Sequence, residues 1–381
     1  MLTASGIHIQ GSWASLVFGI SILAAAFLVA WAAEAGQKDI SQALALAAVA
    51  LITVMPEYSV DLYLAWMAGA NPGSDYVHFA TANMTGANRL LVGLGWPLVA
   101  LLFWFKARRA ISVGRGISLE LLVLLLATIY AFTIPWKNSL ALWDGAILVS
   151  LFVAYLWLSA RAEHVEPELI GPAALIGSLS KRKRRAVALS LFIFSAAVII
   201  FSVEPFTEGL LALGHQFEVE EYLLIQWVAP LASEAPEIAI AAIFTLRGNA
   251  MAALIALVSA KVNQWTLLIG TLPGAYAISS AASGYGLPLG LPLDSRQVEE
   301  IFLTAAQSLL AMVLLLGGRL TWRSGLMLFA LWGGQLWLTA ARYIFAFLYL
   351  GLSVALLALD RERLRELKAL VPNVWKSLRV G

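Results

Sequence analysis

Apolar residues run along this chain in long blocks, which polar segments interrupt at intervals. Blocks long enough to cross hydrocarbon, roughly 17–25 residues each, recur from end to end. They predict about eleven helical spans, over 13–33, 42–70, 77–105, 118–134, 139–159, 186–204, 222–246, 249–274, 299–317, 324–340 and 342–359. The last two form one apolar stretch of roughly 36 residues, too long at ~1.5 Å per residue for a single crossing. A break is therefore placed near Ala340–Arg342. The first block, Trp13 to Ala33, has no basic segment before it and no clear cleavage site, so it reads as a retained helix.

Polar positions inside the blocks repeat. Met55-Pro56-Glu57-Tyr58 in the second span has a counterpart 180 residues later in Ala235-Pro236-Glu237-Ile238, in the seventh. The same offset carries Glu120 to Glu300, Gly145 to Gly325, and Trp157-Leu158-Ser159 to Trp337-Leu338-Thr339. Each repeat holds five spans, an odd number, so the second sits upside down relative to the first. The eleventh span lies outside the repeat. Inverted repeats of this kind typify secondary transporters, with the substrate site at the midplane between the halves.

Composition agrees and narrows the class. Only 13% of the 381 residues are charged and 61% are hydrophobic, where a soluble domain carries roughly 25% charged residues. A net charge of +2 gives no footprint for nucleic acid. With no cysteine, disulfides, thiolate metal sites and cysteine nucleophiles are excluded. Basic residues mark one side: Lys106, Arg108, Arg109 and Arg115, the run Lys181–Arg185, then Arg319 and Arg323, and the tail after Asp360. The positive-inside rule puts these on the cytoplasmic side, with the N-terminus outside and the C-terminus inside. Asp75, Glu204, Glu208, Glu218, Glu220 and Glu221 then fall in outer loops. The expected location is an inner or plasma membrane.

Proline followed by glutamate within a span calls for a physical reason. Proline removes a backbone hydrogen bond and clashes with the preceding turn, so a kink or break there frees carbonyls to face a cavity. A mid-membrane carboxylate costs at least ~2.5–3.5 kcal/mol on insertion scales and needs a cation, a proton or a basic partner. The pseudo-two-fold axis is expected to bring Glu57 and Glu237 together, making an oxygen-rich site suited to hard cations. Cation and proton would compete for it. Asp61 lies one turn from Glu57 and Glu234 one turn from Glu237, beside Ser233. Further polar groups fall in the third span (Thr81, Asn83, Thr85, Gly86, Asn88, Arg89) and the eighth (Ser259, Lys261, Asn263, Gln264).

These segments resemble the calcium/cation antiporter superfamily, which includes sodium/calcium and proton/calcium exchangers. Its signature runs roughly G-T-S-x-P-E, then G-N-x-x-G-S-N-x-x-N or D. The first half offers Thr53-Val54-Met55-Pro56-Glu57, then Asn83-Met84-Thr85-Gly86-Ala87-Asn88. The second offers Ser233-Glu234-Ala235-Pro236-Glu237, then Ala256 to Gln264. The resemblance covers about residues 13–340. It implies an all-α membrane protein with two inverted five-helix repeats, over 1–160 and 186–340, joined by a basic loop at 161–185. An extra span and basic tail follow over 341–381, and the signature segments fall near 50–95 and 230–272.

It also implies a transported cation (calcium, sodium or proton) ligated by Glu57 and Glu237, with Thr53, Asp61, Asn83, Asn88, Ser233, Glu234, Lys261 and Gln264 supporting or modulating. Partners would be small inorganic cations and the bilayer, with no bound cofactor. The departures bear on mechanism. Leu91 stands where the first repeat's late asparagine would be, Gln264 at its counterpart, and Lys261 at the asparagine of the second G-S-N. Asn71-Pro72-Gly73-Ser74-Asp75 lengthens the first repeat. Lys261 is expected to sit against Glu237, Glu234 or Glu57 in place of one cation, and can give up a proton when a cation arrives.

Plainer readings stand beside these. Glu57 and Glu237 can pair with Arg89 and Lys261 to hold the bundle, and Lys261 can be a structural counter-ion. Asp61 can face a vestibule, Asn83 and Asn88 can join helices by hydrogen bonds, and Glu120 and Glu300 suit helix starts. Trp96, Trp136, Trp143, Trp157 and Trp337 suit interfacial belts, and the histidines fall in loops. An intramembrane enzyme is disfavoured, because the chain shows no H-E-x-x-H, nucleophile elbow or phosphate-binding loop. The open alternatives are a sodium- or potassium-for-proton exchanger in which Lys261 is the proton-linked counter-ion, and a scaffold that does not transport.

Overall fold

The computed structural model describes residues 11–39, 54–161, 169 and 171–380. Among these described residues sixteen α-helices follow in order: α1 (Ser12–Gly36), α2 (Met55–Ala70), α3 (Tyr76–Phe79), α4 (Ala82–Leu90), α5 (Trp96–Ala107), α6 (Ser118–Ala131), α7 (Leu142–Ser159), α8 (Gly171–Gly177), α9 (Lys181–Phe217), α10 (Glu221–Arg247), α11 (Ala250–Asn263), α12 (Ile269–Ala282), α13 (Ser295–Leu316), α14 (Trp322–Trp337), α15 (Arg342–Leu359) and α16 (Arg361–Val380). Among the described residues nine helical stretches are long and apolar enough to cross a membrane. The second and tenth predicted spans correspond to α2 and α14, each 16 residues as described. The expected break in the last apolar stretch is a 3₁₀ turn at Thr339–Ala341.

The repeat is visible in the packing. Gly145 of α7 lies against α12, where an added Cβ would fall 2.5 Å from the Gly270 carbonyl oxygen. Gly325 of α14 lies against α5, with the Pro97 Cα at 3.3 Å from the same position. Two short antiparallel ladders carry the same symmetry. Ile111–Ser112 (β1) pairs with Arg319–Leu320 (β4), and Ser139–Ala141 (β2) pairs with Gly290–Pro292 (β3). A shift of 180 residues carries β1 to β3 and β2 to β4, so each ladder joins one strand from each repeat. One ladder lies on the face bearing Arg108 and Arg319, the other on the opposite face. Helix starts are capped by different residues at matched places: Asp144 accepts from the Ala141 N–H at 2.7 Å, and Thr321 accepts from the Ser324 N–H at 3.0 Å.

Several expectations need correction. Helix α9 runs 37 residues and extends past the predicted 186–204 at both ends. At ~1.5 Å per residue it exceeds a hydrocarbon core of roughly 30 Å by nearly twofold, so its charged ends project beyond it. Lys181–Arg185 thus form its first turns, and Glu204 and Glu208 lie on the helix rather than in a loop. Trp96 is fully buried in the core, unlike exposed Trp136, Trp143, Trp157 and Trp337. His78 lies in α3 with Nδ1 2.6 Å from Asp294 Oδ2, and His215 near the end of α9 faces Glu221. His164 and the early part of the second span lie outside the described residues.

Candidate cation-binding site

Polar side chains of α2, α4, α10 and α11 converge in the interior. Glu57, Asp61, Asn83, Asn88, Glu234, Lys261 and Gln264 are each at most 1% exposed. Glu57 and Pro56 open α2, whereas Pro230 and Pro236 sit inside an unbroken α10. Of the kink or break expected at each proline, the helix at the second runs on without a break. The irregular backbone lies in the partner elements instead. A π-helical segment, Leu91–Gly95, separates α4 from α5, and its counterpart Gln264–Leu268 separates α11 from α12. Such bulges re-aim side chains and recur at functional sites. Between these segments the repeat offset is 173 rather than 180, because 71–75 and α3 lengthen the first repeat. At this offset Asn88 matches Lys261 and Leu91 matches Gln264.

The hydrogen bonding leaves acceptors over. Asn83 Nδ2 donates to Asp61 Oδ1 at 3.0 Å, and Gln264 Nε2 donates to Glu234 Oε1 at 2.9 Å. Both Glu57 carboxylate oxygens, Asp61 Oδ2, Asn83 Oδ1, Glu234 Oε2, Glu237 Oε2 and Gln264 Oε1 are buried without a hydrogen bond of normal geometry. All seven are acceptors. A buried acceptor left unmade costs about 1–3 kcal/mol, more if charged, so this concentration favours a positive guest. Glu57, Glu234 and Glu237 also repel one another, which a cation or proton relieves. The carboxylates surround one region, but among the described residues no three acidic or histidine side chains form a ready chelating cluster. Ser233 donates to the Pro230 carbonyl of its own helix at 3.2 Å, and its hydroxyl also lies beside the Glu57 carboxylate. Thr53 lies outside the described residues.

Lys261 does not form the expected ion pair with a glutamate. Its ammonium donates to the Asn88 carbonyl at 3.1 Å and to Asn88 Oδ1 at 3.0 Å, so the two symmetry-matched residues grip each other. It also lies 5.0 Å over the Trp265 ring and feels the charge of Glu234. Asn88 is held in turn by Nδ2 donating to the Met84 carbonyl at 3.0 Å. The close passage of α4 and α10 permits this geometry: a Cβ on Gly86 would fall 1.7 Å from the Gln226 carbonyl oxygen.

Arg89 turns away from Glu57 and Glu237. Its Nη2 lies 2.5 Å from Glu300 Oε2, and Arg342 Nε donates to Glu300 Oε1 at 2.7 Å. Gln335 accepts from Arg89 Nη1 at 3.2 Å, and Trp227 stacks 4.8 Å from its guanidinium. A small pocket lined by Arg89, Trp227, Glu300, Gln335 and Arg342 lies beside them. Glu300 is therefore the centre of a buried ion cluster and not a helix cap; Asp294 caps α13, accepting from the Gln297 N–H at 2.6 Å. Its counterpart Glu120 has a distant Tyr155 hydroxyl at 3.5 Å and one unpartnered oxygen. Sequence reasoning also missed Tyr58, whose hydroxyl donates to Asn263 Oδ1 at 2.8 Å. Its place beside Glu57 was the available signal, but adjacent helical residues face different ways.

A family model described as sodium/calcium exchanger protein matches residues 11–161 and 187–341. Among solved structures the chain is similar to one described as the crystal structure of the H+/Ca2+ exchanger CAX. That match has 42% identity and a TM-score of 0.93, and covers 100% of this chain and 95% of that one. It is also similar to native YfkE, at 17% identity, TM-score 0.62 and coverage of 91% and 95%. The sodium-calcium exchanger NCX_Mj matches at 18% identity and TM-score 0.55, covering 85% and 97%. The last two similarities speak to fold alone. No curated protein sequence matches the chain.

Proposed function

This chain belongs to the sodium/calcium exchanger protein family, and we propose that it exchanges calcium for protons by alternating access at the carboxylates of Glu57 and Glu237. The observation that carries this reading is the set of seven buried oxygens that lack a hydrogen bond of normal geometry, centred on four acidic side chains. Calcium takes six to eight oxygen ligands, with carboxylates, amides and carbonyls all serving. Asp61, Asn83, Glu234 and Gln264 supply the supporting oxygens. A proton is the natural counter-substrate, because it binds the same carboxylates and cancels the same repulsion. Apparent calcium affinity is then expected to weaken as pH falls.

Two departures support protons over sodium as the driving ion. Leu91 offers no oxygen where the family signature has a side-chain ligand, and Lys261 fills a neighbouring position with a tethered positive charge. The similarity to the H+/Ca2+ exchanger structure points the same way. The basic residues near Arg108 and Arg319 support a cytoplasmic orientation of that face.

Purified protein in liposomes with a trapped pH dye tests this. A calcium gradient should drive proton flux, and Glu57→Gln and Glu237→Gln should each abolish it. Calcium uptake driven by sodium with no proton signal would overturn the proton coupling. Sodium- or potassium-driven proton flux without calcium would replace the substrate. Silence with every cation would favour a scaffold.

A further inference from the structure

Helix α16 carries four distinct stripes. It begins one residue after α15 ends, so the chain enters it at the membrane surface. Asp360 sets the turn, accepting from the Glu362 N–H at 3.0 Å and from Arg363 Nε at 2.9 Å. Arg363 also caps α13, donating to the Val313 and Leu314 carbonyls at 2.6 and 3.0 Å. Leu370 and Val374 are buried, and with half-buried Leu367 they seat one side of α16 on the protein. That stripe is satisfied.

A second apolar stripe is not. Leu364, Val371 and Trp375 are 39%, 49% and 61% exposed. At 3.6 residues per turn they share one line along the helix, roughly a quarter turn from the buried stripe. Arg361, Arg365, Lys368 and Lys376 form the next line round, all exposed. Glu362, Glu366 and Asn373 occupy the remaining side. The order around the helix is thus protein, apolar, cationic, acidic. An apolar line flanked by cations, with low net hydrophobicity, suits a helix lying in the bilayer interface.

We propose that α16 lies on the bilayer surface and recognises anionic lipid headgroups. Leu364, Val371 and Trp375 enter the headgroup–acyl boundary, and Arg361, Arg365, Lys368 and Lys376 contact phosphates and acidic headgroups beside it. Charge complementarity selects this occupant, since the cations border the exposed apolar line and the acids face away. The proximity of α15 supplies the bilayer without any further tether. Because Arg363 ties α16 to the end of α13, the surface is held in register with the transmembrane bundle. The proposal does not depend on which cation the protein carries.

The chain lacks cysteine, so single labels are clean. Full-length V371C and E366C would be labelled with an environment-sensitive fluorophore. They would be reconstituted in vesicles of phosphatidylcholine, alone or with phosphatidylglycerol. The 371 label should be quenched several-fold more by lipid-borne quencher than the 366 label, and shielded from aqueous iodide. That contrast should grow with phosphatidylglycerol and shrink in the background R361Q, R365Q, K368Q, K376Q. Equal aqueous quenching at both positions would overturn the proposal. So would shielding at 371 without lipid quenching, which would mean a protein surface or second copy covers the stripe. A contrast indifferent to phosphatidylglycerol in the unmodified background would overturn the anionic specificity, whatever the quadruple variant does.

Discussion

Glu120 and Glu300 occupy the same place in the two repeats but have different surroundings. Glu300 lies between the guanidinium groups of Arg89 and Arg342, with Arg89 and Glu300 both about 2% exposed. Removing one partner of a buried ion pair costs about 3–5 kcal/mol, because the remaining charge is left uncompensated. Glu300→Gln is therefore expected to lower thermal stability in detergent markedly. Glu120 has no ion pair among the described residues, so Glu120→Gln should be neutral or mildly stabilising. Comparable losses in both would dissolve the distinction.

At Lys261 the relevant quantity is affinity. A unit charge and a divalent ion ~8 Å apart interact by about 4 kcal/mol at an effective dielectric of about 20. Even a third of that is roughly tenfold in KM. Lys261→Met should lower the KM for calcium by at least about tenfold, measured as initial uptake against concentration. A pH profile that also moves would assign Lys261 a carried proton. A fixed profile with the lower KM would leave it a tethered charge.

At the element scale, helix crossings are set by what the contact surface can admit. The Cβ position at Gly145 meets a backbone oxygen at 2.5 Å, and backbone cannot yield without moving α12. At Gly325 the nearest atom is the Ala100 Cβ at 3.0 Å, a milder conflict. Gly145→Ala should therefore cost more stability than Gly325→Ala, about 1–3 kcal/mol as overpacking against a smaller loss. Ranked melting temperatures of the two variants check this. The π segments belong to the same scale. Each re-aims α5 or α12 just beyond the polar cluster, and nothing in Leu91–Gly95 or Gln264–Leu268 announces a wider turn.

For the whole molecule, topology is the open prediction with the simplest readout. Single cysteines at Arg109 and Arg319 should react with an impermeant thiol reagent only after the cytoplasmic side is opened. A cysteine at Tyr285 should react in intact cells. The reverse pattern would invert the protein and assign the acidic face to the cytoplasm.

The sequence by itself determined much at this scale. Apolar block lengths set the spans, because hydrocarbon thickness leaves little choice. The 180-residue offset paired Glu57 with Glu237 and Gly145 with Gly325, because duplicated segments keep what their contacts need. Burial of acids within spans marked the site, because an intramembrane carboxylate must have a use or a partner. Only the tertiary structure decided the partners. Arg89 and Lys261 each had several carboxylates within a plausible reach. Helix rotation and the two π segments sent Arg89 to Glu300 and Lys261 to Asn88, leaving the acid oxygens of Glu57 without a basic partner. Periodicity gives the face of one helix but not its rotation against another. Which charges meet is therefore fixed by packing, and packing is absent from any single stretch of chain.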